Sequence, residues 1–279
     1  CTGSGRITIA KRRGNGGVAA GNQPAAAATA GLDCGTAVGT ALNANPKYVE
    51  ALAPELAKIS GLPLVKAECL IDGTQNLDAY AYVSAALKTA AISLSKMSND
   101  FRLMSSGPRC GFQEINLPGK QNGSSIMPGK VNPVIPEVMN QICYKVIGND
   151  LCVAMSSEEA QMELNAMEPV MAQCCFESAQ IMMNGFDTLR INCVDGITAN
   201  PEQCREYIHK SFGVVTALNP VIGYKNSTKI AKEAMATGKS VYDLVLEHGI
   251  LTKEDLDTIL APENMIKPVK LDIKPLKQL

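Results

Sequence analysis

Tryptophan is absent from this 279-residue chain, and aromatic residues make up only 4% of it, although 46% of the residues are apolar. The apolar content is therefore mostly Ala, Leu, Ile, Val and Met. That composition suits closely packed helices better than an aromatic-rich β-sandwich. An excess of charge of either sign is also lacking: 26 basic residues face 27 acidic ones, for a formal net charge of −1. Bulk electrostatics thus offers nothing to a nucleic acid or to an anionic membrane surface. No apolar run approaches the roughly 20 residues needed to span a bilayer. Cys-x-x-Cys is missing, and the ten cysteines are scattered, several of them inside helical apolar patterns. There a thiol behaves as a small hydrophobe. They read as reduced thiols of a cytoplasmic protein rather than as the disulfide frame of a small secreted domain. Histidine is scarce, and His209 and His248 each read as surface residues.

Residues 1–31 stand apart. They carry four basic residues, no acidic ones and many Gly and Ala. The expectation for them is an unassigned, flexible basic arm. An Arg-rich, acid-poor stretch is also compatible with part of a transit peptide. Gly3-Ser4-Gly5 is a poor dinucleotide fingerprint, because no strand precedes it and no further Gly follows at the right spacing. The chain starts with Cys rather than Met, which leads us to expect an incomplete or processed product.

From Leu32 the pattern becomes helical. Tyr80, Val83, Leu87, Ala90, Leu94, Met97, Phe101 and Met104 alternate spacings of three and four, an a/d seam that predicts one helix over 77–104. Gly107-Pro108 is its first stop signal. A second long helical region is expected over 136–184, kinked or divided at Pro169, with Glu168 pushed out of the α region. A smaller helical unit follows, in which Asn200 before Pro201 and Thr252 before Lys253 are expected N-caps. The expected architecture is all-α: 32–190 a long-helix bundle, 191–279 a small helical C-terminal domain. The stripe of apolar residues along each helix reads as core.

The chemistry concentrates in Gly123-Ser124-Ser125-Ile126-Met127-Pro128-Gly129-Lys130-Val131-Asn132-Pro133, within a loop over 117–133. One short segment offers an amine, two hydroxyls and an amide. Gly123 and Gly129 provide hinges, and an apolar helical run follows. A rigid scaffold can hold such a loop while its tip moves. Lys130 can bind a carboxylate as a point charge, and Asn132 is both donor and acceptor. By composition alone the same stretch reads more readily as a surface loop, Lys130 as a solvated lysine, Asn132 as a turn residue and Glu137 as a first-turn helix glutamate.

These residues resemble the mobile loop of the fumarase/aspartase superfamily. Val134-Ile135-Pro136-Glu137, Asn140-Gln141 and Lys145-Val146-Ile147-Gly148-Asn149-Asp150 resemble its aspartase branch, whereas a Thr-Gln-Cys-Glu-like run usually follows the loop in fumarases. The resemblance extends from about Leu32 to Met265. It includes Gly35-Thr36-Ala37-Val38-Gly39-Thr40, Ser105-Ser106-Gly107-Pro108-Arg109 and Asp195-Gly196-Ile197-Thr198-Ala199-Asn200.

The resemblance implies reversible anti elimination from a small dicarboxylate to give fumarate, with ammonia as leaving group and without cofactor or metal. Ser124 is implied as general base, and Ser125, Lys130 and Asn132 as substrate-binding residues. Met127 shapes the loop. Glu137 is implied to pair with an active-site histidine of another subunit in a homotetramer with shared sites. A fumarase-type hydratase and an inactive helical oligomerisation fragment are the alternatives. The upstream Thr-His-Leu-Gln-like or Thr-Gln-Leu-Gln-like block is missing, so the chain is expected to be a fragment lacking the N-terminal domain. On that reading it holds one of the three segments that build the family's site.

Overall fold

The computed structural model describes residues 7–9, 30–32, 37–121, 123, 126–127 and 129–277. These form two units, residues 1–103 with 117–197, and residues 104–116 with 198–279.

In the first unit three short strands form a small sheet. β1 (Ile7–Ile9) runs antiparallel to β2 (Ala30–Leu32), with Thr8 opposite Gly31, and β2 runs parallel to β3 (Leu64–Lys66), with Gly31 opposite Val65. α1 (Pro46–Ser60) precedes β3. The Asn45 side chain accepts from the Lys47 N–H at its start, and Gly61 takes the left-handed conformation (φ 68°) just past its end. α2 (Leu70–Gln75) leads into α3 (Asp78–Met104), within one residue of the seam's expectation.

The helical region expected over 136–184 is two helices, α4 (Val134–Glu158) and α5 (Glu168–Asn192), divided before Pro169 and not at it. The break falls at 159–167, and Pro169 sits in the first turn of α5, where its missing N–H costs nothing. Buried Asn165 makes the break. Its amide donates to the carbonyls of Ser156 (3.0 Å) and Ser157 (3.3 Å) at the end of α4. Its oxygen accepts from the Met167 N–H (2.8 Å) at the start of α5.

Cross-links show how these helices run. Ser84 and Lys88 of α3 meet Asp150, whereas Ser95 meets Asn140, so α3 and α4 are antiparallel. Met139 lies against Gly185 and Asn149 against Cys174, so α4 and α5 are antiparallel too. A Cβ on Gly185 would sit 2.9 Å from Ile142 Cδ1; its missing side chain lets the two helices close. Ala91, Leu94, Met139, Cys143, Val146, Met182 and Leu189 form the buried seam.

In the second unit β4 (Ile115–Asn116) pairs antiparallel with β5 (Thr198–Ala199). α6 (Pro201–Lys210), α7 (Val215–Ile222), α8 (Tyr224–Thr237), α9 (Val241–Glu247), α10 (Lys253–Ile259) and α11 (Pro262–Met265) follow. Leu218, Ile230, Leu244, Ile250 and Leu256 centre its core. Thr252 caps α10 as expected, accepting from the Asp255 N–H at 3.1 Å. Asn200 occupies the cap position of α6, but its side chain caps nothing there. It donates to the Gln113 carbonyl (2.8 Å) and exchanges hydrogen bonds with the Asn116 amide.

Candidate active site

The loop over 117–133 enters α4 directly. Its neck is closed by a hydrogen bond from the Gly123 N–H to the Lys130 carbonyl at 2.8 Å. The approach is so tight that a Cβ on Gly123 would lie 2.3 Å from that oxygen. Next to the neck, the Lys130 N–H donates to the Met127 carbonyl (3.1 Å). Gly129 supplies the left-handed backbone (φ 80°) that such a turn requires.

The tip is open to solvent: Ile126 is 86% exposed, and Met127, Val131 and Lys130 are exposed as well. Asn132 is half-buried and its carbonyl accepts from the Val134 N–H (2.9 Å). Ser124 and Ser125, expected as base and substrate ligand, lie outside the described residues.

Glu137 stands in the first turn of α4, its N–H bonded to the Pro133 carbonyl at 3.2 Å. An acidic side chain is favoured there by the unpaired N–H groups and dipole of the helix start. The Arg102 guanidinium, in the last turn of α3, lies 3.9 Å from the Glu137 carboxylate. The same guanidinium donates to the side-chain oxygen of buried Asn140 (3.3 Å), whose amide donates to the carbonyl and hydroxyl of Ser95 (3.1 and 2.9 Å). The sequence reading did not single out Ser95 or Arg102. Their spacing of seven was the available signal, since it places both on one face of α3.

Two further polar groups hold the block that follows. Asp150, buried, accepts from Ser84 (2.9 Å) and pairs with Lys88 (2.5 Å). Asn149 donates to Glu177 (2.9 Å), which also pairs with Lys145 (3.1 Å). The Asn149 hydrogen bond, helped by Lys145, holds the Glu177 carboxyl below its ordinary range. Burial, reinforced by the neighbouring Cys152 thiol, pushes Cys174 up to about 11.

The two histidines take partners inside the second unit. His248 Nε2 is 2.8 Å from Glu233, and His209 meets the Tyr242 ring edge-on. No group of three or more His, Cys, Asp or Glu among the described residues is placed to hold a metal ion. No helix among them is long and apolar enough to cross a membrane.

The Lyase family model matches residues 23–148, and the Fumarase C C-terminus model matches 214–267. The chain is 54% identical over 233 residues to the aspartate ammonia-lyase of Bacillus subtilis (strain 168), covering 84% of this chain and 49% of that protein. It is 51% identical over 233 residues to the Escherichia coli (strain K12) aspartate ammonia-lyase, again covering 84% and 49%. The crystal structure of a fumarate lyase:delta crystallin from Brucella melitensis bound to cobalt superposes with a TM-score of 0.80 at 44% identity, over 85% of this chain and 52% of that one. The recombinant class II fumarase of Schistosoma mansoni superposes with a TM-score of 0.78 at 33% identity, over 86% and 53%. The chain spans about half the length of the curated relatives it matches.

Proposed function

The chain belongs to the fumarase/aspartase superfamily of lyases, and from that premise we propose that it carries one part of an active site that eliminates ammonia from L-aspartate to give fumarate. The observation that carries this reading is the 54% identity to an aspartate ammonia-lyase over 233 residues, which spans the loop together with Val134-Ile135-Pro136-Glu137.

In this reading Ser124 Oγ takes the proton from C3. The electron pair of that C–H bond passes into the carboxylate beside C3 and then returns to form the C2=C3 double bond as the C2–N bond breaks, that bond's own pair leaving with ammonia. Charge builds on the carboxylate beside C3 before the nitrogen departs. Fixed donors aimed at that charge supply most of the rate in such sites. Lys130 holds a substrate carboxylate, Ser125 donates to the second, and Asn132 reaches the carboxylate and amino group. The tight neck at Gly123 and the left-handed turn at Gly129 support this assignment: they fix where Lys130 leaves the loop. Closure of the loop excludes water, so that a serine alkoxide becomes a usable base.

The assembly we propose is a homotetramer with shared sites, in which Glu137 meets a histidine of another subunit. Exposed apolar residues on all three long helices support it, among them Tyr82, Tyr144, Leu151, Phe176 and Met183. Apolar patches of that extent mark interfaces. The setting we assign is the cytoplasm, in keeping with the unpaired thiols of the described cysteines.

The likeness to a class II fumarase keeps hydration of fumarate as a second reading. Assaying the whole protein separates the two, since aspartate and malate each yield fumarate, which absorbs in the ultraviolet. Aspartate should be the substrate, and Ser124→Ala should abolish kcat while substrate binding survives. Lys130→Ala should raise KM as well as lower kcat. A Ser124→Ala enzyme retaining more than about a tenth of kcat would have lost less than ~1.4 kcal/mol, too little for a general base. Turnover of malate but not aspartate would establish the second reading.

A further inference from the structure

We propose that Arg102 is a positioning residue for the active site, acting through Glu137; the inference rests on the role given to Glu137 under the proposed function. The geometry is a closed chain of contacts between two antiparallel helices. Arg102 stands in the last turn of α3, where a cation is favoured, and Glu137 in the first turn of α4, where an anion is favoured. The guanidinium spans Glu137 (3.9 Å) and Asn140 (3.3 Å), which lie three residues apart on one face of α4.

Asn140 cannot drift. It is 2% exposed, and its amide is committed to both the carbonyl and the hydroxyl of Ser95, one heptad before Arg102 on α3. With the Asn140 nitrogen committed to Ser95, its oxygen is left to accept from Arg102. That fixes one arm of the guanidinium and directs the other toward Glu137. A lysine has no planar fork and cannot serve both partners with the same geometry.

Glu137 lies five residues beyond Asn132, at the point where the loop becomes helix. An unheld carboxylate there, more than a third exposed on its side chain, would sample several rotamers. Arg102 narrows that choice and keeps a negative charge facing a basic partner. The pair is too exposed to matter as a surface ion pair for stability. Its value lies in orientation, and a misplaced group at a reacting site costs rate out of proportion to the displacement.

The test is a double-mutant cycle in the whole protein, with aspartate as substrate. Arg102→Gln should lower kcat about tenfold or more while KM changes by less than about twofold. Arg102→Lys should recover part of the loss. In a Glu137→Gln background, Arg102→Gln should cost little further, because the two act as one unit. Thermal unfolding of each variant distinguishes a folding defect from a loss of orientation. If Arg102→Gln multiplies the Glu137→Gln loss in full, or if Arg102→Gln leaves kcat intact, Arg102 does not act through Glu137. If Glu137→Gln itself leaves kcat unchanged, the role of Glu137 fails first and takes the inference with it.

Discussion

The Gly123 N–H donates to the Lys130 carbonyl at 2.8 Å, so the lysine proposed to hold substrate is also the residue that closes the neck of its own loop. Its backbone is fixed while its side chain is exposed. A rigid base under a free amine suits a group that must find a carboxylate and then hold it.

Gly123→Ala tests the neck. The new Cβ would lie 2.3 Å from the Lys130 carbonyl oxygen, a backbone atom that cannot move aside cheaply. The neck must open, and kcat/KM should fall by at least about tenfold. The loop is peripheral to the core, so Tm should shift by no more than about 3 °C. Gly129→Ala differs, since nothing lies within 4 Å of its Cβ position and only the left-handed φ of 80° opposes it. That strain costs about 1–2 kcal/mol, and the activity loss should be the smaller of the two.

How much of this the sequence foretold depends on the residue. α3 was legible to within one residue because an unbroken heptad needs only local spacing to be recognised. The break between α4 and α5 was misplaced because Glu159-Ala160-Gln161-Met162-Glu163-Leu164 are mostly good helix formers. What interrupts them is Asn165, which satisfies the ends of both helices at once, and Met162, held at φ 53°. That is tertiary context, invisible to propensity. The concentration of polar groups at Lys130 and Asn132 was legible in the loop itself, but their roles toward a substrate, and the role of Glu137, came from a resemblance. The contact of Glu137 with Arg102 joins positions 35 apart, which no local rule could connect.

The described cysteines should divide sharply in reactivity. Cys69 and Cys110 are exposed, whereas Cys143, Cys174, Cys175 and Cys193 are buried, and burial raises the pKa of all four thiols. The thiolate is the nucleophile, so a raised pKa and poor access both slow attack. Brief alkylation near pH 8, read by peptide mass spectrometry, should label Cys69 and Cys110 first. The buried four should react only after denaturation. Early labelling of Cys174, the thiol pushed up to about 11, would show that α4 and α5 separate in the native protein.

Glu177 should give stability its acid-side slope at one identifiable position. The Asn149 hydrogen bond and then Lys145 hold its folded pKa below the ordinary 4.5. On acidification the unfolded chain therefore takes up this proton first. The stabilisation is present in full above the unfolded value and is lost as pH falls through the depressed folded one. The Tm gap between the native protein and Glu177→Gln should be widest near neutral pH, should narrow once pH falls below the unfolded value of 4.5, and should close as pH falls through the depressed folded one. Salt should narrow it, because both partners are partly exposed. A gap independent of pH would mean that Glu177 acts by packing and not by charge.

Asp150 should show that its loss and the loss of Ser84 are less than additive. Its carboxylate, 7% exposed, accepts from Ser84 at 2.9 Å and from Lys88 at 2.5 Å. Lys88 retains 38% side-chain exposure and can return its ammonium to water when the carboxylate is gone. Ser84 is 5% exposed and cannot. Asp150→Ala should therefore cost about 1–3 kcal/mol, mostly through the stranded hydroxyl and the lost packing. Ser84→Ala alone deprives the carboxylate of one donor but leaves the lysine, and should cost about 1 kcal/mol. In Ser84→Ala/Asp150→Ala no hydroxyl is left stranded, so the double variant should be more stable than the sum of the single losses predicts. Thermal unfolding of the three variants measures this directly. Strict additivity would mean that Ser84 finds another acceptor, leaving Lys88 as the polar link between Asp150 and α3 at this level.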